Sequence, residues 1–283
     1  MSDRPSRAVL ITGCSTGIGR ATALRLAARG LPVYASARRI ESVRDLEARG
    51  CRVLALDVCD EGSMQRAVAE VEKAEGAVWA LVNNAGYGQE GAFEETPMEA
   101  VRRQFETNVF GLVRLTQLVL PGMRRQRSGR IVNLSSMGGK LTLPGGAFYH
   151  ATKHAVEALS DALRFEVAGF GIQVVVVEPG PIRTQFGDTA VASVGGGAGD
   201  GSPYAEFHEG LRRGIRGAYE GVMGRLAGEP DAVARAIERA LEARRPRTRY
   251  VVTGVARALM TFRRWAPDRL FDAVMRTQLP QPP

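Results

Sequence analysis

Two side chains four residues apart, Tyr149 and Lys153, are the residues most able to do chemistry together in this sequence. They lie in AFYHATKHAVEALSDALRFEV, whose apolar spacing predicts a helix, so both project from one face. A phenol ionises near pH 10 in water, and a nearby ammonium favours the phenolate, so Lys153 is expected to bring the Tyr149 pKa toward neutrality. The pair would then donate and accept a proton. Ser136 closes the strand-like run GRIVNLSS, and the Gly- and Pro-containing loop after it can fold its hydroxyl back over the start of that helix. His150 is a tempting acid or base, but neighbouring helical residues point about 100° apart, and it is left out.

Such a pair occurs by accident on many helices, so the elements that would position it decide its meaning. AVLITG at 8–13 is an apolar run stopping at glycine, and RATALRLAARG at 20–30 has helical spacing. Further strands are predicted at 31–37, 52–57 (after a charged helix), 80–83, 130–134, 173–177 and 249–252. Helices are predicted over 61–75, over one long stretch at 98–123, and over 229–244. This alternation implies an α/β fold with a parallel sheet wrapped by helices on both faces. Residues 187–228, with SVGGGAGDGSP, read as a weakly periodic loop: a lid, a binding segment or a tolerated surface insertion. The basic, amphipathic tail from Val255 is expected to cover a pocket or mediate assembly, in preference to resting on a membrane surface.

Thr12-Gly13-Cys14-Ser15-Thr16-Gly17-Ile18-Gly19 falls where the first strand turns into the first helix. Glycines there allow a sharp turn and let a pyrophosphate approach the free amides of the helix N-terminus. After the second strand the chain reads Ser36-Ala37-Arg38-Arg39, with no carboxylate before Glu41. A carboxylate at that point would hold a ribose hydroxyl, whereas arginine binds a 2′-phosphate. The expected cofactor is NADP(H), contacted by Arg38 and Arg39, with Ser15 as a second contact. The bland alternative is that both arginines are solvated residues at a helix start.

The 283 residues carry a formal charge of +8, with 45% hydrophobic and 24% charged residues, which fits one large α/β domain with extensions. The arginines are scattered without aromatic interleaving, which argues against nucleic-acid binding. No apolar stretch reaches membrane-span length and no signal peptide is read, so a soluble, cytoplasmic protein is expected. Cys14, Cys51 and Cys59 lack metal-ligand spacing, so neither a disulfide nor a metal site is expected, and Cys14 and Cys59 are read as small core hydrophobes.

Assembled in order, these residues resemble the short-chain dehydrogenase/reductase family over about residues 6–255. Thr12 to Gly19 is similar to the family's TGxxxGxG. Asp57-Val58 matches its adenine-contacting position, Asn83-Asn84-Ala85-Gly86 its NNAG segment, and Pro179-Gly180 with Ile182 and Thr184 its segment beside the nicotinamide. Asn108, Ser136, Tyr149 and Lys153 match its catalytic residues. The resemblance implies a Rossmann-type, doubly wound parallel sheet of about seven strands in three α/β/α layers. It also implies hydride transfer between a carbonyl and an alcohol, with Tyr149 as general acid/base and Lys153 on the nicotinamide ribose. Asn108 would hold a relay water, and a homodimer or homotetramer is expected. TGCSTGIG and VEPGPIRT are similar to the branch holding 17β-hydroxysteroid and retinol dehydrogenases. A single domain at 1–255 with a substrate lid at about 183–228, and an extension at 256–283, follow as expectations. Leu141, Leu143, Phe148, Phe186, Tyr204, Phe207, Met223 and Trp265 are expected around a bulky apolar ligand. A cofactor-binding sensor without catalysis is the competing reading.

Overall fold

The computed structural model describes residues 5–277 apart from 198, 200 and 221–223. Met223, read above as a pocket residue, lies outside the described residues, as do residues 278–283 of the tail.

Seven strands form one parallel sheet: β1 (Val9–Ile11), β2 (Val33–Ala37), β3 (Arg52–Ala55), β4 (Ala80–Asn83), β5 (Gly129–Leu134), β6 (Ile172–Pro179) and β7 (Arg249–Val252). The spatial order is β3-β2-β1-β4-β5-β6-β7. Chain growth reverses between β1 and β4, and in open α/β sheets that switch point opens a crevice at the carboxyl ends of the strands. The seven predicted strands are all present, because runs such as VVVV in β6 are buried on both faces and need no alternation to be recognised.

Helices cover both faces. α1 (Gly17–Ala27) and α8 (Pro230–Glu242) pack together on one side with Leu26, Val33, Val82, Val233 and Ile237 in the core. Between these helices Arg25 bridges Asp231 at 2.8 Å and Glu238 at 3.0 Å. On the opposite face lie α2 (Glu61–Glu75), α4 (Gly111–Arg125) and α5 (Ala147–Val167), whose core includes Met64, Leu115, Met123 and Val167. α2 starts where Asp60 caps Ser63 N–H and ends at Gly76 with φ +85°.

Three predicted elements differ. The single helix expected over 98–123 is α3 (Met98–Phe105), a π turn at Glu106–Phe110, and α4. The charged helix expected before β3 is a pair of short 3₁₀ segments, Ile40–Ser42 and Arg44–Arg49. Only Val43 and Leu46 are buried there, too short an apolar stripe to support an α-helix. The segment read as a loop contains α6 (Phe186–Ser193) and α7 (Ala205–Tyr219), on either side of the glycine patch. The tail forms α9 (Gly254–Trp265), which packs against Met137–Gly139, and α10 (Asp268–Arg276). Trp265 is 76% exposed, so it lines no pocket. Cys14 is buried as expected, whereas Cys59 is exposed.

Candidate active site

The glycine turn joins β1 to α1 at the carboxyl edge of the sheet. Gly13 and Gly17 have φ of +72° and +57°, which a side chain would strain. A methyl group on Gly19 would lie 2.3 Å from the Gly13 carbonyl oxygen, so only glycine lets the helix pack this closely on the turn. The Thr16 hydroxyl caps nothing and the first turn of α1 holds no acidic residue, which leaves the amides of Gly17, Ile18 and Gly19 available to an anion. Thr12 Oγ1 accepts from Asn84 N at 3.0 Å and Ala85 N at 2.9 Å, while Asn84 Nδ2 donates to the Thr12 and Gly13 carbonyls at 2.8 and 3.1 Å. The Asn84-Ala85-Gly86 segment is thereby bolted to the turn. Asn83 serves the sheet, donating to Asn133 Oδ1 at 2.9 Å and to Thr116 Oγ1 at 3.1 Å.

Thr184 reaches the turn from the opposite side, 3.0 Å from where a Gly17 side chain would begin. It follows Pro179 and Gly180, whose N–H donates to Val252 O at 3.0 Å, and buried Ile182, which bridges to Gly228. Ser15, Thr16, Gly17, Arg20, Arg183 and Thr184 border a groove of about 470 Å³. Arg38 and Arg39 are exposed just past β2, and no carboxylate among the described residues lies within ion-pair distance of either. Asp57 accepts from Cys59 N–H at 3.0 Å, so one carboxylate oxygen shapes its own turn; beside it Val58 is buried against Gly111.

The four residues expected to be catalytic come from three elements and meet at the same edge. Ser136 follows β5 in extended conformation, and its Oγ accepts from Gly138 N–H at 3.1 Å. Its hydroxyl also acts on Tyr149, on the first turn of α5, opposing the rise of the phenol's pKa. Lys153, one turn on, is 7% exposed and donates to the Leu134 carbonyl at 2.7 Å, with Nζ 5.7 Å from the centre of the Tyr149 ring. The π turn supplies Asn108, whose amide donates to Tyr87 O at 2.9 Å and Thr152 Oγ1 at 3.1 Å and whose oxygen accepts from Tyr87 N–H at 3.1 Å. Gly86 makes room: a methyl there would come within 3.0 Å of Asn108 Oδ1 and 3.8 Å of Lys153 Nζ.

The electrostatics correct one expectation. Burial pushes the Tyr149 pKa above its ordinary value; the Ser136 hydroxyl opposes this, and the charges of Glu90 and Tyr219 add to it. The phenol is not shifted toward neutrality, since the cost of burying its anion outweighs the attraction of an ammonium 5.7 Å from the ring centre. Burial lowers the Lys153 pKa to about 8, with Glu157 pulling it back up. An amine depressed from 10.5 binds its proton more weakly when folded, so below pH 8 its burial destabilises the fold in full. That penalty is relieved as pH rises from 8 to 10.5. Relative to Lys153→Met, the wild type is therefore expected to gain up to about 3 kcal/mol of unfolding free energy across that window. Denaturant titrations of both proteins at several pH values check this; parallel curves would refute it.

Behind Lys153, the Lys140 ammonium meets Glu157 at 2.7 Å, and Arg249 joins Glu157 at 3.0 Å, Asp161 at 2.7 Å and Glu178 at 3.4 Å. This cluster ties the loop after Ser136 to α5, β6 and β7. Burial first, and the neighbouring Glu157 second, raise the Glu178 pKa to about 7.

Around Tyr149 the walls are largely apolar. Phe186 lies 5.4 Å from it between ring centres, and Phe148 stacks on exposed Phe93 at 4.8 Å. Tyr204 and Phe207 contact each other and His208 rather than Tyr149, and Leu141 is buried. The His150 ring is 5.6 Å from Tyr149; its Nδ1 accepts from Leu143 N–H at 3.3 Å, and burial drops its pKa to about 4. Two wall residues, Glu90 and Tyr219, were not singled out by the sequence. Nothing in QEGAFEE marks one glutamate, because its neighbours come from distant segments.

A glycine cradle at the switch point of a parallel sheet, facing a Ser-Tyr-Lys cluster, defines a dinucleotide-binding oxidoreductase. The short chain dehydrogenase family model matches residues 7–194. The uncharacterized oxidoreductase YbbO of Escherichia coli K12 is 34% identical over 271 residues, covering 95% of this chain and 94% of that one. The NADPH-dependent 3-dehydrocapnine reductase of Ornithobacterium rhinotracheale is 33% identical, covering 96% and 97%. A short-chain dehydrogenase from Streptomyces avermitilis superimposes with a TM-score of 0.79 at 38% identity, covering 97% and 94%. The chain belongs to the short-chain dehydrogenase/reductase family, oxidoreductases that use a nicotinamide cofactor. No helix among the described residues is long and apolar enough to cross a membrane, and no group of three His, Cys, Asp or Glu among them is arranged to hold a metal ion.

Proposed function

We propose that this protein is an NADP(H)-dependent enzyme interconverting a ketone or aldehyde and the corresponding alcohol on a bulky, largely apolar substrate. The observation that carries the reading is the convergence of Ser136, Tyr149 and Lys153 beside the glycine cradle. Gly13, Ser15, Thr16, Gly17, Ile18 and Gly19 would hold the pyrophosphate, Asp57 and Val58 the adenine, and Asn84, Ala85 and Gly86 the floor of the cleft. Pro179, Gly180, Ile182 and Thr184 would border the nicotinamide. When bound, the cofactor supplies a hydride at C4 of its nicotinamide.

Negative charge then develops on the carbonyl oxygen, and donors already aimed at it stabilise the transition state. Ser136 holds that oxygen, and Tyr149 gives it a proton in reduction or removes one in oxidation. The raised pKa of the phenol keeps it protonated and ready as an acid. Lys153 binds the ribose hydroxyls. Both amide donors of Asn108 are committed to Tyr87 and Thr152, so the water it would hold behind Lys153 would donate to its side-chain oxygen or bond the main chain of the π turn.

Arg38 and Arg39, exposed beside the end of β2, support selection of a 2′-phosphate, as does the NADPH dependence in the name of one relative. Arg38→Asp is expected to weaken NADPH binding by about 10- to 100-fold, the worth of a charge-assisted contact, while NADH gains. Calorimetric titration with both cofactors tests this; unchanged NADPH affinity would refute it. The lid is read as 183–228 of a single domain ending near 255, with α9 and α10 as cover for the pocket or as an oligomer interface. Exposed Phe110, Leu159 and Phe165 on one side support a homo-oligomer. Consumption of NADPH with a panel of ketones and aldehydes separates the enzyme from a binding-only sensor, which would bind NADPH without turning over any of them.

A further inference from the structure

Glu90 lies in the loop after β4, and its main chain is held firmly. Its N–H donates to Ser193 Oγ at 2.9 Å, and the next residue, Gly91, donates to the Gly145 carbonyl at 2.8 Å. The carboxyl sits over two glycines. A methyl on Gly146 would lie 2.9 Å from Glu90 Oε2 and 2.4 Å from the His150 ring; one on Gly88 would lie 3.4 Å from Oε1 and 3.0 Å from the Phe186 ring. Phe186 and His150 are the two rings that flank Tyr149. The carboxyl's charge also reaches Tyr149 and Tyr219, raising the pKa of both. Glu90 is therefore a wall of the same pocket as the reactive phenol.

Among the described residues no donor lies within hydrogen-bond distance of this carboxyl and no Lys, Arg or His within ion-pair distance. His150 is no counter-ion, since burial keeps its ring neutral and its Nδ1 already accepts a hydrogen bond. Burial alone moves Glu90 up to about 8. The carboxyl is half-buried and keeps solvent contact at the pocket wall, so it is open to a ligand, and the group that would pair with it is one positive charge.

We infer that Glu90 is the substrate anchor: the ketone reduced at Tyr149 carries a protonated amine close to its carbonyl carbon, and the Glu90 carboxylate binds that ammonium. This rests on the reductase reading above and names its substrate class as amino ketones with an apolar chain. The ammonium takes no part in the redox step. Hydride adds to the carbonyl carbon, the Tyr149 proton adds to the oxygen, and the amine leaves unchanged on the amino alcohol. A site with an unpaired charge rejects the analogue that cannot satisfy it far more strongly than it rejects a missing methylene.

The test compares three alkyl ketones of equal chain length with wild type and Glu90→Gln: one with an amine on the carbon next to the carbonyl, one with a hydroxyl there, and one unsubstituted. Wild type is expected to prefer the amino ketone over the unsubstituted one by about 10²-fold or more in kcat/KM. In Glu90→Gln that ratio should fall to within about threefold of unity. A wild-type ratio near one, a ratio that survives the substitution, or an equal preference for the hydroxy ketone would each overturn the assignment. A second measurement needs no turnover. Octylammonium should bind the NADP⁺-loaded protein at least about tenfold more tightly than Glu90→Gln, a difference octanol should not show. Equal octylammonium binding overturns the anchor even if the protein reduces ketones, whereas loss of all turnover with this difference intact would sink only the reductase reading.

Discussion

Replacing Tyr149 by phenylalanine is expected to lower carbonyl turnover by about 10²- to 10⁴-fold while leaving NADPH affinity within a factor of about two. The ring is retained, so its contact with Phe186 and the Lys153 ammonium above it persist. What disappears is the proton at the substrate oxygen and the hydroxyl on which Ser136 acts. A positioned general acid contributes on that scale, and nothing beside it offers a replacement: His150 is neutral and engaged, and Lys153 is bonded to the Leu134 carbonyl. Single-turnover kinetics and a calorimetric NADPH titration on the same preparation separate the two effects. Turnover near wild type would end the role given to Tyr149, and a parallel loss of cofactor binding would mean that the ring, not the proton, is what the site needs.

The second large effect is expected from Gly19→Ala. A methyl there meets the Gly13 carbonyl oxygen at 2.3 Å and Asn84 Nδ2 at 2.5 Å, and neither is the loose end of a flexible side chain. The Gly13 carbonyl belongs to the turn, and Asn84 is held by two hydrogen bonds to that turn. Either the helix backs away or the turn opens, and both displace the amides meant for the pyrophosphate. Overpacking of this kind costs about 1 to 3 kcal/mol of stability. Loss of two charge-assisted contacts weakens NADPH on the order of 10²-fold. Gly217→Ala is the matched control, because nothing lies within 4 Å of its added methyl. Wild-type NADPH affinity in Gly19→Ala would show that the cradle does not hold the cofactor.

Much of this framework was legible beforehand, for reasons that differ by element. The strands declared themselves because parallel strands buried on both faces are continuous apolar runs, and VLI, ALVN and VVVV leave little choice. The ends of α2 could be read from Asp60 and Gly76, a cap and a stop. Tyr149 and Lys153 could be placed on one helical face from spacing alone. The π turn could not, since one extra residue in a helix leaves no mark in a 3.6-residue pattern, although it determines where Asn108 points. α6 and α7 were hidden by the glycines between them, which suppress the periodicity on either side. Glu90 was illegible for a further reason: its surroundings are made by Gly88, Gly146, Phe186 and His150, and three separate stretches of chain must meet before that glutamate differs from its neighbours.

The short bridge from Pro179 to Thr184 divides the chain in a way that bears on descent. Every group assigned to hydride and proton transfer lies before it or within it, whereas α6 and α7, which supply Phe186, Phe207 and Tyr219, come afterwards. The family model likewise ends at residue 194. Substitutions and insertions beyond Thr184 can therefore be sampled over generations without disturbing the chemistry. A lineage carrying this scaffold is free to exchange one substrate for another while inheriting the same reaction.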